Sequence, residues 1–421
     1  MNESVARLQQ LDDPALPAMR ALLGAESVDV LGTAVEGVGE HMISRRLTQV
    51  SWSPGLRLTV VFDARVSSVK GTHIHEHLVA ATATTQLRGG VQLEDESGAH
   101  IAVWRLQNDP ELPGLAVAMD EQAIRGLLDG LGLPRGEVTA RLRAYRPMRR
   151  AVVEVSAGGQ RLFIKVVPPS HVRRLQSLHE TAAQHLPVPP THGWSLEHGL
   201  VVLRAMPGVT LRNCLLDKRL DLPDPVQVYA LLQQLPALPD SRPAREQAAA
   251  ALEMAPLLRA LVPECRSSID GIVQQDFPSD ASLGGLVPVH GDLHEAQMMV
   301  QAGSIAGLLD IDTAGLGHRI DDWATLLGHL AVLLNETRPS SQRRVRTYAQ
   351  RLMALADRDV GDPSGLRTRI AAVILGLATG PFRVQTPSWV EGTRSRISLA
   401  EAWQQSARSH AANGESILSH A

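Results

Sequence analysis

The chain has 421 residues, 44% of them hydrophobic and 20% charged, with a formal net charge of −3. Those values suit a globular protein with a sizeable core, and at about 100–200 residues per domain they suggest two or three domains. The near balance of charge leaves no footprint for nucleic acid and no polybasic patch for a membrane surface, so neither is expected as a partner.

Two cysteines occur, Cys214 and Cys265, with no CxxC pair. A zinc site built on cysteines is excluded, and the pattern fits a reducing compartment. Met1 to Ser4 has neither the basic nor the apolar region of a secretory leader. The longest apolar runs, such as Ile370 to Leu377, fall well short of the roughly 20 residues a membrane span needs. A cytoplasmic protein, monomeric or homodimeric, is expected. Of the 41 lysines and arginines, only Lys70, Lys165 and Lys218 are lysine.

Three segments follow in chain order. Residues 1–136 open on a helical stretch and turn strand-rich: Leu56 to Phe62 and His100 to Trp104 read as strands, with the turn signal Arg88-Gly89-Gly90 between them. A helix is expected at about Glu121 to Leu131, ended by Gly132 and Pro134. Alternation over Thr72 to His77 places three histidines on one strand face, a pattern compatible with zinc but more simply read as a half-exposed strand. Residues 137–208 carry strand-like runs at Val138 to Tyr145, Ala151 to Val155 and Arg161 to Val167, with Ser156 to Gln160 as a hairpin turn. A helix over His171 to His185 and a strand over Leu200 to Leu203 complete this segment. Residues 209–421 are mostly helical, interrupted by strand-like runs at Gly285 to Val289, Met298 to Val300 and Ile305 to Leu309.

The chemistry concentrates in His290-Gly291-Asp292-Leu293-His294-Glu295-Ala296-Gln297 and, ten residues past Val300, in Leu309-Asp310-Ile311-Asp312. Each carboxylate follows apolar strand-like residues or a turn, where sites are usually built. Phosphoryl transfer needs a group that positions the acceptor hydroxyl, ligands for magnesium and a cation on the phosphates. Asp292 suits the first role, and Asp310 the second, because magnesium prefers carboxylate oxygen. Lys165 suits the third: a lysine inside Leu-Phe-Ile-Lys-Val-Val is costly unless exposed or paired, and Glu180 on the following helix is a candidate partner.

HGDLHEAQ followed by LLDIDTAG resembles the catalytic and metal-binding loops of the aminoglycoside phosphotransferase / choline kinase-like superfamily, whose usual form is H-G-D-x-x-x-x-N and then an apolar run with I-D. The resemblance implies an α+β, protein-kinase-like bilobal fold preceded by an N-terminal α/β cap. The implied division is a cap over 1–136, a small lobe over 137–208 and a helical large lobe over 209–421. It implies ATP and Mg2+ as cofactors, Asp292 as the catalytic aspartate, and Gln297 and Asp310 as metal ligands, with Asp312 assisting. Asp322 matches the aspartate that braces the catalytic loop, and His290 is read as structural. Lys165 matches the phosphate-binding lysine, Glu180 its helix partner, and Arg204, Ala205 and Met206 the hinge that holds adenine.

Gln297 departs from the usual asparagine but offers the same amide oxygen on a longer arm. HGDxHxxQ and a long N-terminal segment are both similar to maltokinase-like members, which points to carbohydrate metabolism. Arg146-Pro147-Met148-Arg149-Arg150 has no glycine where protein kinases keep a glycine-rich cover. Residues 331–421 carry 12 arginines and 7 acidic residues, net +5, which disfavours a polycationic acceptor. Trp389 and Trp403 are candidate sugar platforms or core residues. The reading that follows is an ATP-dependent small-molecule kinase whose hydroxylated acceptor is a sugar or amino sugar. The alternatives are an aminoglycoside or other antibiotic phosphotransferase, and a nucleotide-binding pseudokinase whose N-terminal domain docks a protein.

Overall fold

The computed structural model describes residues 3–37, 39–68, 71–94, 98–133, 136–238, 243–244, 247–274 and 285–413. Lys70 and Pro134 lie outside them. The chain divides into two compact units. The first takes residues through Arg173, then His192–Leu203 and Gly380–Thr393; the second takes Arg174–Thr191, Arg204–Thr379 and the residues from Arg394.

In the first unit, alternating apolar residues build two antiparallel five-stranded sheets. One holds β1 (His41–Ser53), β2 (Arg57–Ser67), β3 (His73–Ala83), β4 (Val91–Glu94) and β5 (His100–Arg105), in the order β1-β2-β3-β5-β4. The other holds β6 (Val138–Arg146), β7 (Arg150–Ala157), β8 (Gln160–Val166), β9 (Thr191–Ser195) and β10 (Leu200–Arg204), in the order β6-β7-β8-β10-β9. The expected hairpin forms: Gly158 and Gly159 join β7 to β8 with φ of 53° and 76°, the positive pair a two-residue turn of this hand requires. β1 carries no clean alternation, because much of it is half-exposed on both faces, and the sequence therefore concealed it.

The expected helix forms as Glu121–Gly130, with the Asp120 carboxylate accepting from the Ala123 N–H at 2.6 Å. Its apolar face, Ile124 and Leu128, joins Leu112 and Leu115 in packing on Val153, Val155, Ile164 and Val202. Each such side chain contributes about 1.5–3 kcal/mol when fully buried. The residues before 136 and the second sheet thus share one core. The stop at Gly132 ends this helix.

The second unit is helical, with two small antiparallel sheets. β11 (Val209–Thr210), β13 (Met298–Gln301) and β14 (Ser304–Leu308) form one, and β12 (Val287–Val289) pairs with β15 (Gly315–Gly317) in the other. The Arg319–Glu336 helix is apolar almost all round, with Trp323, Leu326, Leu330 and Leu334 buried, as a helix enclosed by others must be. It packs against Pro339–Val360 and Pro363–Leu377. The last begins Asp362-Pro363, a capping carboxylate on the Gly365 N–H followed by proline in the first turn.

The whole is α+β. No helix among the described residues is long and apolar enough to cross a membrane. Trp389 and Trp403 are both buried, Trp389 edge-on to Phe382 with centroids 5.0 Å apart. Neither offers a face to a sugar.

Candidate active site

The HGD loop leaves β12 and is held from below by one carboxylate. Asp322, in the first turn of the Arg319–Glu336 helix, accepts from the His290 N–H at 2.7 Å and from the Gly291 N–H at 2.9 Å. The carboxyl is buried. Burial pushes it above the usual carboxylate range, opposed by His290, by the two N–H groups and by Arg319. His290 Nε2 donates to the Leu309 carbonyl at 2.9 Å, and its Nδ1 accepts from the Asp292 N–H at 3.3 Å. One neutral tautomer satisfies both bonds. Gly291 has φ of 78°, and a Cβ there would stand 2.6 Å from the Thr313 carbonyl oxygen, so only glycine fits. The loop delivers Asp292 half-buried, on backbone fixed at both preceding residues.

Asp310 follows β14. Leu309 donates its N–H to the Gln297 carbonyl at 2.7 Å while its own carbonyl receives His290. The two loops are laced through this residue, which sets Asp310 beside Gln297. Asp310 adopts φ of 55°, a left-handed conformation aspartate tolerates better than most residues. Asp312 lies in the following turn, where its carbonyl accepts from Arg174 at 3.0 Å.

Gln297 and His294 decide whether this corner suits magnesium. Burial lowers His294 to about 4, with His290 and Arg212 adding and Asp310 opposing, so the ring is neutral at pH 7. Its Nδ1 accepts from the Ala296 N–H at 3.2 Å, which leaves the proton on Nε2. Nε2 stands 3.1 Å from Gln297 Nε2, which donates to Asp310 Oδ2 at 3.3 Å. The amide can be turned end for end; its oxygen and the Asp310 carboxylate are the kind of oxygen donors magnesium prefers, so the donor set fits Mg2+.

Two further contacts went unforeseen. Glu295, buried, accepts from Arg212 at 2.8 Å, while Arg212 returns its N–H to the Glu295 carbonyl at 3.1 Å. Burial raises the Glu295 carboxyl and Arg212 draws it back. This tie fastens the Leu211–Leu216 helix to the catalytic loop. His329 stacks on His294, centroids 4.4 Å apart and planes 12° apart. His294, Glu295 and His329 bring possible ligand atoms within 4.8 Å of one another. Parallel rings, however, aim their in-plane lone pairs side by side and not at one point, so the stack reads as structural. Nothing in the sequence marked Arg212, His329 or Arg174, which are ordinary residues on helices remote in the chain.

Lys165 lies in β8, opposite Val152, half-buried on the face away from Leu162, Ile164 and Val166. Its charge thus avoids the apolar core. Glu180, on the helix that follows, is exposed. The helix Val172–Ala183 buries Val172, Leu175, Leu178 and His179. That phase turns Arg174 toward the Asp312 turn and leaves Glu180 outside. Arg204 closes β10, its N–H donating to the Pro190 carbonyl at 2.9 Å, with Ala205 and Met206 half-buried beyond it.

The glycine-free turn between β6 and β7 is tied by Asp109, a buried carboxylate from the preceding segment. Its Oδ2 accepts from the Tyr145 hydroxyl and the Met148 N–H, each at 2.7 Å, and its Oδ1 from the Glu111 N–H at 2.9 Å. Met148 is held at φ of 57°. Among the described residues the histidines of β3 join no group of three possible metal ligands: His75 Nε2 meets Asp63 at 2.8 Å, and His73 is exposed.

The sequence profile of the phosphotransferase enzyme family (APH) matches residues 148–363. No curated protein matches the chain. Among solved structures, a putative aminoglycoside phosphotransferase from Ralstonia eutropha is 14% identical, covering 69% of this chain and 98% of its own, with a TM-score of 0.44. Choline kinase from Cryptosporidium parvum is 11% identical, covering 70% and 98%, with a TM-score of 0.47. A macrolide 2'-phosphotransferase from Brachybacterium faecium is 18% identical, covering 66% and 98%, with a TM-score of 0.40. Such values are too low to carry an acceptor across. The profile match spans just over half of the chain and includes Lys165, both loops and Asp322. Its enzymes are small-molecule kinases that use ATP with Mg2+ on a protein-kinase-like fold. This chain belongs to the phosphotransferase enzyme family.

Proposed function

We propose that the chain moves the γ-phosphoryl group of ATP to a hydroxyl of a sugar or amino sugar. The observation that carries the phosphoryl-transfer reading is Asp292, presented on a loop whose two preceding N–H groups end on one buried carboxylate. Asp292 orients the acceptor hydroxyl and takes up its proton as the new P–O bond forms. Gln297 and Asp310 hold magnesium, with Asp312 beside them; the bound ion offsets charge on the phosphate oxygens. Lys165 steadies the α- and β-phosphates, and the backbone at Arg204 to Met206 receives adenine. Residues 1–136 serve as a cap on the small lobe 137–208, ahead of the large lobe 209–421. The preference for a sugar rests on the HGDxHxxQ pattern, on that N-terminal segment, and on the net +5 of residues 331–421, which repels polycations.

The test is ADP release from Mg·ATP against a panel of sugars, amino sugars, aminoglycosides and amino alcohols. Asp292→Ala should lower turnover by about 10²–10⁴-fold with ATP binding retained. Near-wild-type turnover in that variant sinks the assignment. Release driven by an aminoglycoside alone replaces the sugar reading with the antibiotic one.

A further inference from the structure

One groove of the second unit, about 570 Å³, is lined by no residue of either catalytic loop. One wall is the loop before the Pro225–Gln233 helix, with Lys218 and Asp224; the other is the Pro339–Val360 helix. That helix presents Ser340, Arg343, Arg344, Thr347, Tyr348 and Arg351. The spacing i, i+3, i+4, i+7, i+8, i+11 is one helical face, here filled with donors where an apolar stripe would be ordinary.

The walls are fixed before any ligand arrives. Arg344 donates to the carbonyls of Cys214 and Leu220, and Ser341 Oγ to the Leu216 carbonyl at 3.0 Å. Asp224 caps its own helix through the Val226 N–H and pairs with Arg351 at 2.8 Å. The one carboxylate of the groove is therefore already committed. Lys218 and Arg343 have no side-chain partner among the described residues, and neither do the hydroxyls of Ser340 and Thr347.

Tyr348 supplies the independent observation. The residue is 3% exposed, it lines the groove, and its hydroxyl has no hydrogen-bond partner among the described residues. Burial raises the phenol, with Asp224 adding to the effect, so it remains an O–H donor. A buried donor left unmade costs about 1–3 kcal/mol, which an acceptor would recover once a small turn of the phenol brings its hydroxyl into the groove.

We propose that this groove binds a small phosphorylated molecule. Two unpaired cations match a dianion, arginine recognises phosphate oxygens in pairs, and the hydroxyl donors serve the remaining oxygens. The volume suits a ligand of metabolite size.

The test uses the full chain with Mg·ADP at saturation, so that the nucleotide site is closed. Isothermal titration would be run with inorganic phosphate, with ribose 5-phosphate and with ribose. Saturable binding of either phosphate probe, and none of ribose, is expected. Binding of ribose 5-phosphate alone identifies a metabolite as the source; comparable binding of inorganic phosphate identifies the free ion. The double variant Lys218→Ala, Arg343→Ala should weaken binding by about tenfold or more. Tyr348→Phe should weaken it several-fold while raising the thermal midpoint, since the hydroxyl makes no bond in the free protein and its unmade donor is removed. No saturable binding below about 20 mM, unchanged affinity in the double variant, or displacement of the probes by ADP each overturns the proposal.

Discussion

Two loops of this protein face the same problem and solve it differently. The HGD loop in the second unit and the β6–β7 turn in the first each direct backbone N–H groups onto a buried carboxylate, Asp322 in one and Asp109 in the other. The HGD loop uses glycine at its left-handed position; the β6–β7 turn uses Met148. Asp322 takes two consecutive backbone N–H groups and nothing else from its loop. Asp109 divides itself among a phenol and two N–H groups from two segments. A single-purpose brace beside the reacting groups fixes one geometry, whereas a shared brace ties a turn to its surroundings.

The largest expected effect separates these roles. Asp322→Asn places an NH2 against one of the two N–H groups, at a cost of about 2–3 kcal/mol. It should also cut turnover about a hundredfold, because misplacement near 1 Å at the reacting group is that costly. Urea unfolding and steady-state turnover measure the two. Unchanged turnover at reduced stability would make Asp322 a purely structural cap.

Asp109→Asn should behave otherwise. One bond of three is lost, about 1–2 kcal/mol, and the loop that loosens is the one expected over the phosphates. The KM for Mg·ATP should rise several-fold with kcat nearly unchanged. Loss of kcat at constant KM would erase the distinction between the two braces.

How much of this was legible follows the same division. Asp292, Gln297, Asp310 and Asp322 lie within 31 residues of one another, in a pattern whose chemistry is specific. Asp109 lies 36 residues before Tyr145, in a stretch that reads only as a loop. Its partner atoms are backbone groups, which no residue type announces. Arg174 was hidden for another reason: its charge was visible, but the phase of its helix was not, and phase gave it the position facing the Asp312 carbonyl. Arg212 was hidden likewise, since an arginine on a helix is usually solvated and only the fold discloses that Glu295 lies beneath it.

Acid should test the second unit's stacked histidines, a feature the first unit lacks among its described residues. Burial holds His329 well below its usual 6.5, with His294 and Arg212 adding. The unfolded chain takes up a proton below about pH 6.5 and the folded chain does not, so stability is complete above that pH and falls as pH drops. The slope attributable to His329 is at most about 1.4 kcal/mol per pH unit. Urea midpoints between pH 7.5 and 5 should show this loss, and His329→Gln should flatten it. An equal slope in the variant would assign the loss to other groups.

The smallest effect probes the glycine-free turn. Met148→Gly removes left-handed strain of about 1–2 kcal/mol but loosens the unfolded chain by about 0.4–1 kcal/mol. It also forfeits contact with the cluster of Val61 and Trp104. The net change in thermal stability should be under about 1 kcal/mol. The sign of the coupling matters more than the size. If the bond from the Met148 N–H to Asp109 is what holds a methionine at positive φ, then glycine gains most where that bond is weakened. Met148→Gly should therefore stabilise the Asp109→Asn protein more than the parent, with a coupling above about 0.5 kcal/mol. Additive effects would mean that the turn keeps its shape without the carboxylate, and that the hand of the strands alone sets the backbone at Met148.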